Sequence, residues 1–268
     1  MDNIVLVKGA GDLATGVAYR LYKCGMSVVL TEIPRPTVVR RSVSFAEAVF
    51  EGSHTVEGVT AKLVQNWQEA QALLKHQQIP LLIDPNAQDA LKLKPAVLVD
   101  AIMAKRNTGT QITDAPIVLG LGPGFVAGVD VHAVVETNRG HYLGRLLRKG
   151  TAEPNTGVPG PVNGYTNERL VRAPAEGTFV SCIAINSTVQ AGDILGYVAS
   201  QPVIAEINGI LRGLIKDGIF VHKGMKIGDI DPRCENRHCY TISDKALAIA
   251  GGVLEGILYF KNNSVAKE

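Results

Sequence analysis

The chain has 268 residues and carries 27 Lys and Arg against 25 Asp and Glu, which gives a formal net charge of +2. This length suits one large domain or two smaller ones that bury a substantial core. The near balance of charge argues against nucleic acid or an anionic membrane as a partner, and we interpret the dibasic pairs Arg40–Arg41 and Lys105–Arg106 as solvated side chains. The four cysteines form neither a disulfide framework nor a C-x-x-C redox pair, and no apolar run reaches the roughly 20 residues of a membrane span. We expect no signal peptide before the first strand, and the cysteine usage indicates a protein of the reducing cytoplasm.

The first 32 residues predict a Rossmann-type βαβ unit. An apolar strand at residues 4–8 precedes the loop Gly9-Ala-Gly-Asp-Leu-Ala14, a helix then runs to Tyr22, and a second strand ends at Glu32. This order of strand, glycine turn, helix, strand and acid is typical of a dinucleotide-binding unit.

The loop and the acid together form the predicted cofactor site. Gly9 permits a tight turn, Gly11 lets the backbone approach a pyrophosphate, and Ala14 lets the helix pack closely on the strand. The helix N-terminus attracts an anion, although Asp12 adds negative charge there and is also interpreted as the N-cap. Glu32 is placed to accept ribose hydroxyls and to disfavour a 2′-phosphate. The loop residues assigned to the site are Gly9, Ala10, Gly11, Asp12, Leu13 and Ala14; the alternative is a glycine turn kept only for packing.

Three further apolar runs, at residues 79–84, 97–100 and 117–120, predict buried strands that alternate with helical stretches. Such alternation predicts a mostly parallel sheet with helices on its faces. Because ligands bind at the carboxyl ends of the strands in such sheets, Asp84, Asp100, Gly122 and Gly124 join the predicted cofactor site. The alternative is that each aspartate is a turn or cap residue and that Gly120–Gly124 is a plain loop rather than an anion-binding nest.

A 32-residue repeat follows a linker rich in Gly, Pro and Asn at residues 151–165. The repeated residues are Ala173, Gly177, Val189, Gly192 and Gly196, which recur as Ala205, Gly209, Val221, Gly224 and Gly228. Two such β halves resemble the barrel-sandwich hybrid of biotinyl and lipoyl carrier domains. The junction at residues 198–205 has no lysine, so we expect a structural or docking role rather than a carrier arm.

These patterns together predict an α/β fold with four segments. Residues 1–150 form a Rossmann-like, mostly parallel sheet domain that binds a nucleotide, and residues 151–165 form a linker. Residues 166–232 form a small all-β, barrel-sandwich-hybrid domain. Residues 233–268 form a C-terminal loop and helix, N-capped by Ser243, and Gly251–Gly252 within the helix suggests close packing, with the first domain as one candidate partner.

Chemistry-bearing residues are few in this chain. Cys234, His238 and Cys239 cluster locally but lack the second ligand pair of a structural zinc site, so no metal site is predicted. Cys239 is the candidate catalytic thiol, and a plain loop cysteine is the alternative.

Long phrases of the sequence resemble one family, the selenium-dependent molybdenum hydroxylase accessory proteins of the YqeB type. The phrases are KGAGDLATGVAYRLY (8–22), TEIPRPTVVRRSVSFAEAVFEG (31–52), VDAIMAKRNTG (99–109), TDAPIVLGLGPGFVAGVDVHAVVETNRGH (113–141) and DPRCENRHCYTISDKALAIAGGVLEGIL (231–258). The first part is also distantly similar to the XdhC accessory proteins, without a clear counterpart of their cysteine motif. The resemblance implies a cytoplasmic factor that helps to install or complete a selenium-bearing molybdenum cofactor.

Three hypotheses follow for the function. In the first, the crevice holds NAD(P) or a dinucleotide form of the molybdenum cofactor, and a molybdenum hydroxylase is the client protein. In the second, the chain is an NAD-dependent oxidoreductase acting on a small substrate, with Lys105 or His132 as candidates for proton transfer. In the third it is a docking scaffold without a ligand. Homo-oligomer formation is left open.

Overall fold

The computed structural model describes residues 4–265, which divide into two compact units. The first unit contains residues 4–34, 45–155 and 242–265, and the second contains residues 35–44 and 156–241. Residues 35–44, which lie inside the predicted first domain, thus cluster with the second unit. Residues 1–3 and 266–268 of the predicted terminal segments lie outside the described residues.

A nine-stranded sheet forms the centre of the first unit. Its strands are β1 (Ile4–Lys8), β2 (Ser27–Glu32), β3 (Ser53–Val56), β4 (Val59–Val64), β5 (Ile79–Ile83), β6 (Val97–Asp100), β7 (Ile117–Leu121), β8 (Ala133–Val135) and β9 (Leu146–Leu147). Their order is β3-β4-β5-β2-β1-β6-β7-β8-β9. From β4 to β8 the neighbouring strands are parallel, and β3 and β9 are antiparallel to their neighbours.

The prediction of a Rossmann-like, mostly parallel sheet domain is wrong, because the sheet is a large mixed one with an antiparallel strand at each edge. The sequence pattern also implied helices between successive strands. Residues 101–116 and 122–132, which connect β6, β7 and β8, contain no helix. Apolar runs in the sequence locate strands, but they specify neither edge pairing nor what covers each face.

A helix from the far end of the chain covers the strands that lack local helices. The helices of this unit are α1 (Asp12–Lys23), α2 (Ala48–Glu51), α3 (Trp67–Lys75) and α4 (Asp244–Val265), with 3₁₀ turns at Phe45–Glu47 and Ala90–Leu93. Helix α4 packs against α1, β7, β8 and β9. A Cβ on Gly16 would lie 2.7 Å from that of Ala246, so this glycine allows α1 and α4 to approach closely. Ser243 Oγ accepts the Ala246 N–H at 3.2 Å, as predicted for the N-cap.

The second unit consists of two four-stranded antiparallel sheets. Its strands are β10 (Leu170–Arg172), β11 (Gly177–Ser181), β12 (Thr188–Val189), β13 (Ile194–Val198), β14 (Gln201–Ile204), β15 (Gly209–Leu214), β16 (Phe220–Val221) and β17 (Lys226–Asp231), with 3₁₀ turns at Arg41–Val43, Asn167–Arg169 and Asn236–Cys239. One sheet has the order β10-β17-β15-β12, and the other has the order β14-β13-β11-β16.

The 32-residue repeat recurs in the pairing of these strands. Gly177 pairs with Val221, and Gly209 pairs with Val189, the residue 32 positions before Val221. Likewise the Ala173 N–H donates to the Met225 carbonyl, and the Ala205 N–H donates to the Asp193 carbonyl, both at 2.9 Å. The two halves therefore exchange equivalent hydrogen bonds, as expected for an internal two-fold repeat.

The prediction of a small barrel-sandwich-hybrid domain is wrong, because the second unit consists of two separate antiparallel sheets. A repeat spacing indicates that strands recur, but it does not specify how the sheets are assembled. The halves also differ, because β15 carries a register shift between Leu211 and Gly213, whereas the pairing of β11 with β13 is regular.

A segment from the N-terminal part of the chain, residues 35–44, belongs to the second unit and is anchored by arginines. Arg41 Nε donates to the Leu214 carbonyl at 2.8 Å, and Arg35 donates to the Gly218 carbonyl at 2.6 Å. Arg40 is buried and donates to the carbonyls of His238 and Thr241. The interpretation of Arg40–Arg41 as a solvated pair is therefore wrong: the pair holds this segment in place.

Across residues 4–265, no helix combines the length and the apolar character needed to cross a membrane.

Candidate functional site

The candidate site is the set of loops that follow the carboxyl ends of β1, β2, β6 and β7. Gly9 has φ of +93°, in the left-handed region, and its N–H donates to the Thr31 carbonyl at 2.9 Å. A Cβ at this position would lie 3.0 Å from the Ala101 carbonyl oxygen. The tight turn predicted at Gly9 is present. It requires glycine, because the backbone angle is left-handed and because a side chain would press against the segment that follows β6.

The N-terminus of α1 carries no side-chain cap. Gly11 is its N-cap residue, with φ of −65° and ψ of −177°, so Asp12 is the first helical residue and not the predicted N-cap. Ala14 is fully buried in the first turn, while Leu13 is partly exposed. Because Gly11 has no side chain to cap the helix, an anion can approach this N-terminus.

Glu32 lies against the glycine loop. One carboxylate oxygen accepts the Ala10 N–H at 2.9 Å, and the other accepts the Ile33 N–H at 2.8 Å. Burial raises the pKa of Glu32, and the two backbone N–H groups offset part of that rise. Each oxygen retains a second lone pair, so the carboxylate can still accept a ligand hydroxyl.

Asp84 has a local structural role. Its carboxylate accepts the backbone N–H groups of Gln88, Asp89 and Ala90 at 2.8–3.0 Å. These bonds close the turn that follows β5, which favours the cap alternative over direct ligand binding.

Asp100 belongs to a buried polar cluster that sequence reasoning missed. Lys8 Nζ donates to Thr110 Oγ1 at 2.7 Å, Thr110 Oγ1 donates to Asp100 Oδ2 at 2.6 Å, and Lys8 Nζ lies 3.7 Å from that same oxygen. All three residues are at most 4% exposed. Lys8 and Asp100 end β1 and β6, adjacent strands in direct register. The strand order changes direction here, which is where open α/β sheets bind ligands. The available signal was a single lysine ending an otherwise apolar strand.

The loop after β7 packs closely against the loops after β6 and β8. A Cβ on Gly122 would overlap the hydroxyl of Thr137, and one on Gly124 would lie 2.7 Å from Arg106 Cα. In the loop after β6, Met103 and Lys105 both have φ of +63°. A left-handed backbone angle strains a non-glycine residue, and such strained residues are common in ligand-binding loops.

A further buried carboxylate, Glu136, directly follows β8. Its oxygens accept the N–H groups of Thr137 and Asn138 at 2.7 Å and of Glu153 at 2.8 Å. Glu136 therefore shapes the loops in the way that Asp84 does.

The candidate thiol lies elsewhere, in the second unit. Cys239 is fully buried, and its pKa is raised, chiefly by desolvation. A buried thiol with a raised pKa is a poor nucleophile, so both features weigh against the predicted role. Cys234 is exposed and has φ of +55°.

The two proton-transfer candidates have little support. Lys105 is exposed, whereas His132 Nδ1 accepts the Val118 N–H at 3.0 Å and the ring packs against Phe260. Burial lowers the pKa of His132. Within residues 4–265, no three His, Cys, Asp or Glu side chains group so as to hold a metal ion.

No family model matches the sequence. The chain is 47% identical over 262 residues to the uncharacterized protein YqeB of Escherichia coli (strain K12), a match covering 98% of this chain and 48% of that protein. The chain thus spans about half the length of this curated relative.

Similarity to solved structures is low. An aspartoacylase family protein from Mesorhizobium loti matches at 10% identity with a TM-score of 0.27, covering 86% of this chain and 85% of that one. A succinylglutamate desuccinylase from Silicibacter sp. TM1040 matches at 13% identity with a TM-score of 0.25, covering 85% and 84%.

Proposed function

We propose, on the premise that 47% identity supports membership in the YqeB family, that this chain is an accessory factor for a molybdenum hydroxylase. In this proposal it binds a phosphate-bearing nucleotide at the glycine loop of the first unit. The nucleotide is NAD(P) or a dinucleotide form of the molybdenum cofactor, and the hydroxylase is the client protein. Selenium enters the proposal only through the resemblance of the sequence phrases.

The observation that carries the ligand proposal is the uncapped N-terminus of α1 behind the Gly9 turn. Helix N–H groups and the helix dipole favour an anionic oxygen at that end. Gly11 also supports the ligand proposal. Its extended backbone angles suit any residue, and its lack of a side chain leaves room for a phosphate to approach the helix. The neighbouring Glu32 carboxylate favours a ribose hydroxyl over a second phosphate.

Isothermal titration of the chain with NAD, NADP and a cytidine dinucleotide tests the ligand proposal. We expect one of the three to bind and Gly11→Val to weaken it at least about tenfold, since the new side chain blocks the approach of the phosphate. Gly251→Val is the matched control, because a Cβ there meets no atom within 4 Å. Failure of all three nucleotides to bind, or equal binding by Gly11→Val, would contradict the proposal.

The accessory role needs a separate experiment. A molybdenum hydroxylase produced in cells lacking this protein should have low activity, and co-expression of the wild-type chain should restore it. Gly11→Val should restore less activity than Gly251→Val at equal protein levels. A hydroxylase that is fully active without the chain would reject the role, whatever the titration shows.

A further inference from the structure

We propose a second ligand site in the first unit, a cleft beside β8 and β9 that binds an anion carried on a planar ring. Arg145 binds the anionic group, and Tyr142 supports the ring. This site goes beyond the proposed function, because none of its residues belongs to the glycine loop.

Three cations around β9 have no acidic partner among residues 4–265. Arg145, Arg148 and Lys149 are exposed, and no carboxylate of the described residues lies within 4 Å of any of the three. Arg139, a few residues earlier, is instead held by both carboxylate oxygens of Asp244, at 2.8 and 3.0 Å. The strip at residues 145–149 therefore presents positive charge that the described chain leaves unneutralised.

Arg145 is oriented by an aromatic ring. Its guanidinium carbon lies 4.7 Å from the centre of the Tyr142 ring, and Tyr142 is 50% exposed. Stacking restricts the guanidinium while leaving its N–H groups free to donate to two oxygens of one anion. A planar guanidinium is well suited to a carboxylate or a phosphate.

Beside this pair lies a cleft of about 450 Å³, a volume in the range of small-molecule sites. Its walls include Leu147, Thr151 and Pro154 in addition to Tyr142 and Arg145. Apolar and hydroxyl groups next to an arginine suit a ring that carries an acidic substituent.

Two carboxylates also line the cleft, Glu136 and Glu153, and each is hydrogen-bonded to neutral N–H groups. Both oxygens of Glu136 accept backbone N–H groups, and Glu153 accepts the side-chain amide of Asn138. Neither forms an ion pair with Arg145. Arg145 also lines a second cleft of about 500 Å³, whose lining does not include Tyr142. We assign the ligand to the cleft that contains Tyr142, because only there can the ring and the arginine contact one ligand together.

The competing explanation is that the arginines only protect an edge strand from pairing with other chains. Protection requires charge at the edge, but it requires neither the ring of Tyr142 nor any affinity for a small anion. Binding of small anions therefore separates the two explanations.

The test is a titration followed by NMR, with phosphate, benzoate and phenyl phosphate as probes. We expect benzoate, phenyl phosphate or both to bind more tightly than phosphate, and Arg145→Gln to weaken binding about tenfold. Tyr142→Leu should remove the advantage of the aromatic probe over phosphate. Arg172→Gln is the control, since Arg172 is an exposed arginine of the second unit that donates to the Gly224 carbonyl.

Preference for benzoate would identify a carboxylate ligand, and preference for phenyl phosphate a phosphate ester. Absence of binding by all three probes, or unchanged binding in Arg145→Gln, would overturn the proposal. Gly11→Val should leave these affinities unchanged, so failure here is distinguishable from failure of the proposed nucleotide site.

Discussion

Acidic side chains at the carboxyl ends of the strands mostly serve the backbone of their own loops. Asp84 and Glu136 direct their oxygens to backbone N–H groups, and Glu32 binds two N–H groups beside the glycine loop. Sequence reasoning identified Glu32, Asp84 and Asp100 as loop-edge carboxylates but could not assign their partners. Strand position follows from local apolar runs, whereas a hydrogen-bond partner depends on the loop conformation.

The buried Lys8 could not have been paired from the sequence. Its hydrogen-bond partner Thr110 is 102 residues away, in a loop without regular structure. Only the register of β1 and β6 brings Lys8 beside Asp100.

Lys8→Met should destabilise the protein by about 3 kcal/mol, because it leaves Asp100 buried without its cation. Urea unfolding measures this change. The double variant Lys8→Met with Asp100→Asn should recover part of the loss, since it removes the uncompensated charge as well. If Lys8→Met is as stable as the wild type, the cluster of Lys8, Thr110 and Asp100 does not contribute to stability.

Among the elements, α4 shows what a sequence pattern can predict and what it cannot. Its N-cap Ser243 and its close packing at Gly251–Gly252 were predicted, but the sequence could not distinguish the two glycines. The structure does: a Cβ on Gly252 would overlap the Gly144 carbonyl oxygen, whereas one on Gly251 meets nothing within 4 Å.

Gly252→Ala should therefore destabilise the first unit by about 1–3 kcal/mol through overpacking. Gly251→Ala should stabilise it by up to about 1 kcal/mol, because alanine is the better helix former. Thermal unfolding of the two variants side by side checks both signs. Equal effects would show that α4 does not pack on Gly144 as described.

In the first unit, the positions of individual strands were predicted more accurately than the architecture of the whole sheet. The strands at residues 4–8 and 97–100 have the predicted bounds. The fold class was wrong because β9 has only two residues, too few for a periodic signal, and because α4, far away in sequence, covers β7 and β8.

At the scale of the whole molecule, Glu32 of the first unit and Asp229 of the second respond to acid with opposite signs. In the second unit, burial alone would raise the pKa of Asp229, but Lys226, Arg212 and Arg169 outweigh it and hold the pKa below its usual range. A carboxyl with a depressed folded pKa stabilises the fold above its unfolded pKa, and that stabilisation is lost as the pH falls toward the folded value. In the first unit the raised pKa of Glu32 acts in the opposite sense, because its contribution is present at low pH and lost as the pH rises.

Amide hydrogen exchange should therefore show the second unit losing protection as the pH falls below about 4, the ordinary pKa of aspartate. Asp229→Asn should flatten this dependence, because the amide has no proton to gain in this range. Glu176→Gln is a control for the removal of a carboxylate, since Glu176 is exposed and bonded only to His222 in the described chain. Equal acid sensitivity of Asp229→Asn and the wild type would assign the effect to other groups.

The arginine-anchored segment at residues 35–44 sets an order for folding during synthesis. Arg35 is translated 183 residues before the Gly218 carbonyl that it binds. At roughly 5–20 residues per second, the ribosome needs about 10–40 s to supply that partner. The segment must therefore wait on the growing chain, and a chaperone that shields it during this interval should raise the yield of native protein. Slower translation downstream of residue 44 would lengthen the time for which this segment is exposed. The codons between residues 44 and 156 would then affect how much of the second unit folds.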